Sequence, residues 1–577
     1  MINKLKKSPN LNFFTIYVIY LFHQIYYITF GGTTWDEPAA ILGGGKQIYK
    51  ALLFVQTINN PALEIFSRPE FYGPLIFVPA VLITYFQTPL VYFSKLFTGF
   101  EQVNTENIFE IALITRHIFL NLYVGIVLFF IFHKLTEKKG LFFSSLFLGL
   151  LFLVPSFNGH LLFNFPDSAL ALQFFLSSYF YVQSIGKEKN SLFFGILFGM
   201  TLLTRLNGIL FLLTLSLYEL VLTKIDTDKV KKLITDSFKI YSLAILILYI
   251  FTPSAWRYPF RWLNEAIVVQ FNHPNNVLSL INGKLTAGYD APWHYLLSWF
   301  SFRLPLVYIL SIFFAFLLFI KNREKYDNYF SYSLFLIFLL NIFFVILNPV
   351  AYGGIRHYLF LIPLIVYVST HVIIDMSSAL KLKYIPVILI IGYLIFTQYG
   401  LGPFKYIYLN EFVDETRISY ECDLNVGQPG CGDWETDYWG FGGKMLVQKL
   451  EQNSEYDDYK IQFCEPQFTY SMFYKDANKY WELKNGQFVF DDQYPFTQDK
   501  LFFNSDELFD YIDNNVSNKI TFLALNLHSP QAAGCNFHNM NIPNVKYFCE
   551  TKDNVSAYLR GVEVVMNYLY ECTVTKY

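Results

Sequence analysis

The first 421 residues contain no cysteine, and charge is scarce throughout. Asp, Glu, Lys and Arg make up only 15% of the 577 residues, against roughly a quarter in soluble domains, which excludes an ordinary water-soluble globule. There is no long basic run and the formal net charge is −2, so nothing points to a nucleic-acid partner. CxxC pairs, repeats of solenoid period and low-complexity tracts are also missing. What is present is 54% hydrophobic and 20% aromatic, gathered into long apolar runs. That is the composition of a polytopic helical membrane protein.

Hydropathy marks spanning segments near 13–30, 108–132, 140–156, 167–185, 190–204, 207–223, 237–253, 293–320, 329–348, 356–377 and 384–401, about eleven crossings. Alternate connections carry Lys134/Lys138/Lys139, Lys187/Lys189, Lys224/Lys229/Lys231/Lys232, Lys321/Arg323/Lys325 and Lys381/Lys383. With Lys4, Lys6 and Lys7 they fall on one side, which the positive-inside rule makes cytoplasmic. Residues 74–98 are apolar enough to span, but counting them would reverse every later loop. Pro74, Pro79 and Pro89 also interrupt them, so the expectation is a re-entrant or interfacial pair of helices within an exterior loop of residues 31–107. The first hydrophobic run is too long for a signal-peptide core and reads as a retained helix.

Residues 1–401 thus form a transmembrane module, and 402–577 a small exterior α/β domain. In the latter, Lys460-Ile461-Gln462-Phe463 and 519–525 read as strands, and Glu507 to Asn514 as a short helix. All six cysteines (Cys422, Cys431, Cys464, Cys535, Cys549, Cys572) lie there, which predicts disulfides in an oxidising compartment. The Gly427-Gln428-Pro429-Gly430 turn favours Cys422–Cys431 as a local pair, with zinc as the rival reading. The sequons at Asn515 and Asn554 agree with an exterior location.

Candidate chemistry collects on the exterior side. Asp36-Glu37-Pro38 follows the first helix, where a carboxylate meets a substrate with its tail in lipid and its head in water. The bland alternative is a solvated turn. Asp167 opens a helix after a short loop crowded with Asn158, His160 and Asn164, and its bland role is an N-cap. Arg205, Arg257, His294 and Arg356-His357 lie on the same side, against the positive-inside bias, as an anion-binding set would. Arg116 and His117 fall within the second span, with Glu110 a structural partner for Arg116. Sugar transfer from a lipid phosphate needs these parts: a base for the acceptor hydroxyl and cations for the leaving phosphate.

In order and placement, Asp36-Glu37, Tyr72-Gly73-Pro74-Leu75, Asp167, Pro292-Trp293-His294-Tyr295, Arg356-His357-Tyr358-Leu359-Phe360 and Tyr438-Trp439-Gly440 resemble motifs of the GT-C superfamily of lipid-carrier-dependent glycosyltransferases. The similarity is to protein O-mannosyltransferases, aminoarabinose transferases and their family-39 bacterial relatives, and covers residues 13 to 443. It implies a GT-C-like fold, a polyprenyl-phosphate sugar donor and a hydroxyl acceptor (protein, glycan or lipid). It also implies that Asp36 matches the catalytic carboxylate, with Glu37 beside it, and Asp167 the second-loop acid. Relatives differ on a divalent metal, so no cofactor is assigned and a metal stays open. Asp167 lacks a nearby second acid and the tail lacks a WWD-type motif, which argues against the oligosaccharyltransferase branch. A transporter or lipid flippase, with Arg116 and Arg303 lining a path, is the alternative. The expected location is a bacterial plasma membrane rather than the endoplasmic reticulum, with the site on the outer or lumenal face.

Overall fold

A computed structural model of the chain describes residues 8–34, 37, 46–47, 50–51, 71, 73–75, 108–223, 226–271, 278–347, 349–380, 384–415, 434, 439–464, 468–474, 481–484, 487–490, 501–502, 519–527 and 545–576. The first described helix, α1 (Pro9–Phe30), starts where Ser8 accepts the Leu11 N–H and Pro9 occupies the first turn, a position that needs no donor. Phe13, Tyr17, Tyr20, Gln24 and Ile28 recur at helical spacing and are buried, while Phe14, Ile19 and Phe22 stay exposed. The buried stripe faces α2 (Ile108–Lys139): the Tyr17 and Tyr20 hydroxyls donate to the Asn121 carbonyl (2.7 Å) and side-chain oxygen (2.6 Å). An exposed apolar face beside a buried face carrying polar cross-links is how a helix sits in lipid.

Next come α3 (Leu141–Phe152), α4 (Pro155–Phe163), α5 (Phe165–Gln183), α6 (Ser191–Thr204), α7 (Gly208–Leu222) and α8 (Thr227–Ile250). After them run α9 (Pro259–Phe271), the hairpin β1 (Leu278–Ile281) and β2 (Lys284–Ala287), α10 (Tyr295–Arg303), α11 (Leu306–Lys321), α12 (Asn328–Leu347), α13 (Leu361–Ala379) and α14 (Ile385–Phe396). Five of the described helices are long and apolar enough to cross a membrane, or up to seven if each of two bent pairs is one span. The helices α6, α7 and α14 are apolar but only 14, 15 and 12 residues long. At 1.5 Å per residue each is shorter than the roughly 30 Å hydrocarbon layer, which is why hydropathy runs outnumber full-length spans.

Two expected spans are broken. The run 140–156 bends by 72° between α3 and α4, and 293–320 bends by 118° between α10 and α11. A proline sits at each break. Val154 before Pro155 and Leu304 before Pro305 are extended (ψ 110° and 137°), the conformation forced on a residue preceding proline. The polar stretch expected to be a loop is therefore the wholly buried helix α4, and Asn158 within it bonds Gln24 of α1 (3.1 Å). The lysine-bearing turns after α2, α5 and α11 gather at one end of the bundle, where the Tyr218 hydroxyl also donates to the Asn328 carbonyl (3.1 Å). Ion pairs Lys139–Asp327 (2.5 Å), Lys189–Glu219 (2.6 Å) and Lys325–Asp375 (2.8 Å) tie that end together.

Beyond α14 the chain stays on the helices. Asn410 donates to the carbonyls of Ser301 (2.6 Å) and Leu304 (2.7 Å), and Arg303 donates to those of Tyr406 (3.0 Å) and Tyr408 (3.3 Å). Lys405 reaches the His23 ring nitrogen (2.6 Å), and burial pushes its amine down to about 7. Helix α15 (Gly443–Gln452) leads into β3 (Lys460–Phe463) and the single turn α16 (Phe468–Ser471). Among the described residues, the strands β4 (Trp481–Lys484) and β5 (Gln487–Phe490) pair with each other. A five-stranded sheet has the order β6-β3-β7-β9-β8, with β6 (Leu501–Phe502), β7 (Lys519–Leu527), β8 (Val545–Leu559) and β9 (Val562–Lys576). Both β3 pairings are parallel, those of β9 antiparallel. Leu523 and Leu525 face the main core, while Ile520, Phe522 and Ala524 form a second cluster on the far face, the period-2 alternation of a sheet buried on both sides.

In that second cluster Cys549 and Cys572 stand directly opposite in the β8–β9 register and form a disulfide. Cys464 is disulfide-bonded as well. Cys422, Cys431, Cys535, the Glu507 to Asn514 helix and residues 76–98 lie outside the described residues. Replacing both Cys549 and Cys572 by serine should destabilise the sheet by about 2–4 kcal/mol. Limited proteolysis should then cut residues 545–576 at lower temperature while α1 to α14 remain protected.

Candidate functional site

The turns at the other end of the bundle bring two charged groups together. Asp167 is the third residue of α5, not its cap: Asn164 holds the cap position and makes no side-chain cap bond. Asp167 instead forms an ion pair with Arg205 Nη1 through Oδ1 and accepts from Asn164 Nδ2 through Oδ2 (3.1 Å). Asn164 also meets His160 Nδ1 (3.1 Å). Arg205 can reach Asp167 because α6 stops at Thr204 and Arg205 is extended (φ −161°, ψ 128°). Gly73, from the Gly73-Pro74-Leu75 motif, packs on that helix end, where a Cβ would stand 2.0 Å from the Leu203 carbonyl oxygen.

The other hand of Arg205, Nη2, lies 3.2 Å from His357 Nδ1, and Arg356 Nε lies 3.1 Å from His357 Nε2. Gly353 and Gly354, both left-handed (φ 69° and 65°), turn the chain sharply into the 3-10 turn Arg356–Tyr358. The Arg356 guanidinium sits between the rings of Trp439 (4.6 Å) and Tyr352 (4.8 Å). Two guanidiniums thus face one imidazole. A neutral imidazole has a single acceptor nitrogen, so it cannot satisfy both donors. Among the described residues the group brings one carboxylate, two guanidiniums and an imidazole together, and guanidinium N–H donors are the groups that bind anions.

The second group centres on Glu37. Its Oε2 accepts the Thr34 N–H (2.8 Å), and its own N–H donates to the Thr34 carbonyl (3.1 Å), one half of a T-x-x-E capping box. Its Oε1 accepts from Arg116 Nη1 (2.9 Å) and lies 2.6 Å from His117 Nε2. All three side chains are at least 97% buried, so the solvated-turn reading fails for Glu37. Burial alone would raise its carboxyl, but His117 and Arg116 outweigh that and hold it below the ordinary value. Asp36 lies outside the described residues.

The Trp439-Gly440-Phe441 segment runs between the groups. Trp439 covers Arg356, Phe441 lies 6.4 Å from the His117 ring, and the Phe441 carbonyl accepts the Gly32 N–H (3.0 Å). Phe163 of α4 packs on both rings (5.3 and 4.9 Å).

Two expected members make only local described contacts. Arg257 lies 5.6 Å from the Tyr258 ring, and His294 contacts Ser298 (2.9 Å) and Trp293. Arg116 and His117, which the sequence places in the second span without a catalytic role, join Glu37; their signal was adjacent ionisable residues in an apolar span. Among the described residues no group of three or more His, Cys, Asp or Glu is placed to hold a metal. No known family model matches the chain, and neither does any curated protein.

Glu37→Gln should cost about 3–5 kcal/mol, because it removes the buried carboxylate that both Arg116 and His117 face. A lowered folded-state pKa stabilises the protein above the unfolded value near 4.5, and that contribution is lost as pH falls through the lower folded value. Thermal unfolding of the wild type in detergent should therefore weaken below about pH 4.5. The Gln variant should be less stable at neutral pH and lack that acid limb.

Proposed function

We propose that this protein is an inverting glycosyltransferase that moves a sugar from a polyprenyl phosphate to a hydroxyl acceptor, as its resemblance to GT-C enzymes implies. The observation that supports this best is the Asp167–Arg205–His357–Arg356 group, which gathers two guanidiniums and an imidazole at the end of the bundle opposite the lysine-rich turns. By the positive-inside rule that end is exterior, in a bacterial plasma membrane. Arg205 and Arg356 hold the donor phosphate and His357 supplies a further contact. Asp36 is the base, Glu37 its anchored neighbour, and Asp167 orients Arg205 and the acceptor. In one displacement the acceptor oxygen passes its proton to Asp36 and bonds to the anomeric carbon. The carbon–oxygen bond to phosphate breaks, its electron pair leaving on the polyprenyl phosphate. Arg257 and His294 receive no role in this step.

A transport path would need Arg303 available to a substrate. Instead it is buried, bonded to two carbonyls and stacked 4.8 Å from Trp299, which favours the transferase.

Purified protein incubated with radiolabelled polyprenyl-phosphate sugars should release or transfer the sugar, and Asp36→Asn should slow this by about a hundredfold or more. Arg205→Ala and Arg356→Ala should each cost roughly tenfold to a hundredfold in efficiency, with only partial rescue by lysine. Asp167→Asn should also impair turnover, since a residue that does not cap its helix is not replaced by another good cap. Full activity in Asp36→Asn, or in both arginine variants, would overturn the assignment.

A further inference from the structure

The tip of the β8–β9 hairpin carries an exposed aromatic group that the transferase reading does not use. Arg560 and Gly561, both left-handed (φ 53° and 85°), form the two-residue turn between Leu559 and Val562. This tip is hooked to the end of α14. The Tyr558 N–H donates to the Gly400 carbonyl (2.9 Å), and Arg560 Nη2 donates to the Val413 carbonyl (2.6 Å). The Tyr393 hydroxyl of α14 reaches Glu411 (2.9 Å), which brings the neighbouring Phe412 to the same place. Gly400 is itself left-handed (φ 88°), and a Cβ there would stand 2.8 Å from the Tyr558 carbonyl oxygen, so the approach is close.

Around this hook Phe396, Tyr399, Phe412 and Tyr558 are 76%, 85%, 58% and 51% exposed. They continue the exposed stripe of Ile388, Leu389 and Ile395 on α14, the face a membrane helix turns to lipid. Such a stripe ending in Phe and Tyr has the chemistry of the bilayer interface, where rings sit among acyl chains and hydroxyls meet headgroups and water. The continuity with α14 selects a lipid surface over a second protein chain.

We propose that the β8–β9 hairpin tip, with Phe396, Tyr399 and Phe412, rests in the lipid headgroup layer and anchors the sheet to the membrane. Phe548 lies on the same strand ten residues away from Tyr558, about 30 Å at strand rise, and should stand in water. Its exposed ring serves as the internal contrast.

The full chain is reconstituted in phosphatidylcholine nanodiscs with a nitroxide at Tyr558→Cys, Phe412→Cys or Phe548→Cys. Among the described residues no cysteine is free to compete for the label. Power saturation then compares collisions with oxygen, enriched in lipid, and with a water-soluble nickel chelate. Labels at 558 and 412 should give an oxygen-to-nickel ratio severalfold above that at 548. Equal ratios at all three positions would overturn the anchor. Protection of 558 and 412 from both reagents would also overturn it, in favour of a protein partner.

Discussion

An ion carried into an apolar bundle loses its hydration, and only a partner charge or a set of hydrogen bonds compensates. That constraint runs through the architecture. Glu37 draws α1's exit onto Arg116 and His117 of α2. Asp167 and Arg205 join the start of α5 to the end of α6, and Lys189, in the turn between those helices, pairs with Glu219 near the end of α7. Arg303 is held by two carbonyls and an indole face. Each pair specifies which elements must meet, whatever its net contribution to stability.

Proline decides where the helices give way. Pro155 and Pro305 interrupt runs that hydropathy reads as continuous, and each break turns the chain by more than the packing angle of neighbouring helices. The bend before Pro155 lays α4 across the interior, so that His160 meets Asn164, which in turn donates to Asp167 in the first turn of α5. The bend at Pro305 leaves carbonyls near α10 that Asn410 and the following strap satisfy. Broken helices thus supply both the polar groups of the site and the dock for the chain after α14.

The tail is part of this arrangement. Trp439 and Phe441 insert between the two charged groups, and Gly31 and Gly32 are required there because a Cβ would meet the Phe441 ring or carbonyl within 3 Å. A sheet with apolar residues on both faces continues the bundle's core on one side and closes a disulfide-bearing cluster on the other.

Composition and periodicity alone determined that the chain is helical and membrane-like, that its basic turns share an end, and that strands begin near Lys460 and Lys519. Hydrophobicity and alternation are local, so they survive in a linear reading. The bends at Pro155 and Pro305, the number of full-length spans and the company kept by each charge were decided by tertiary structure. Asp167 reads equally well as a cap or as an ion-pair partner until α6 ends beside it. Sequence spacing offers Arg116 a partner in Glu110 of its own helix, and the fold brings it Glu37 from 79 residues earlier. Which counter-charge answers a buried ion depends on distances across the fold, and sequence spacing does not carry them.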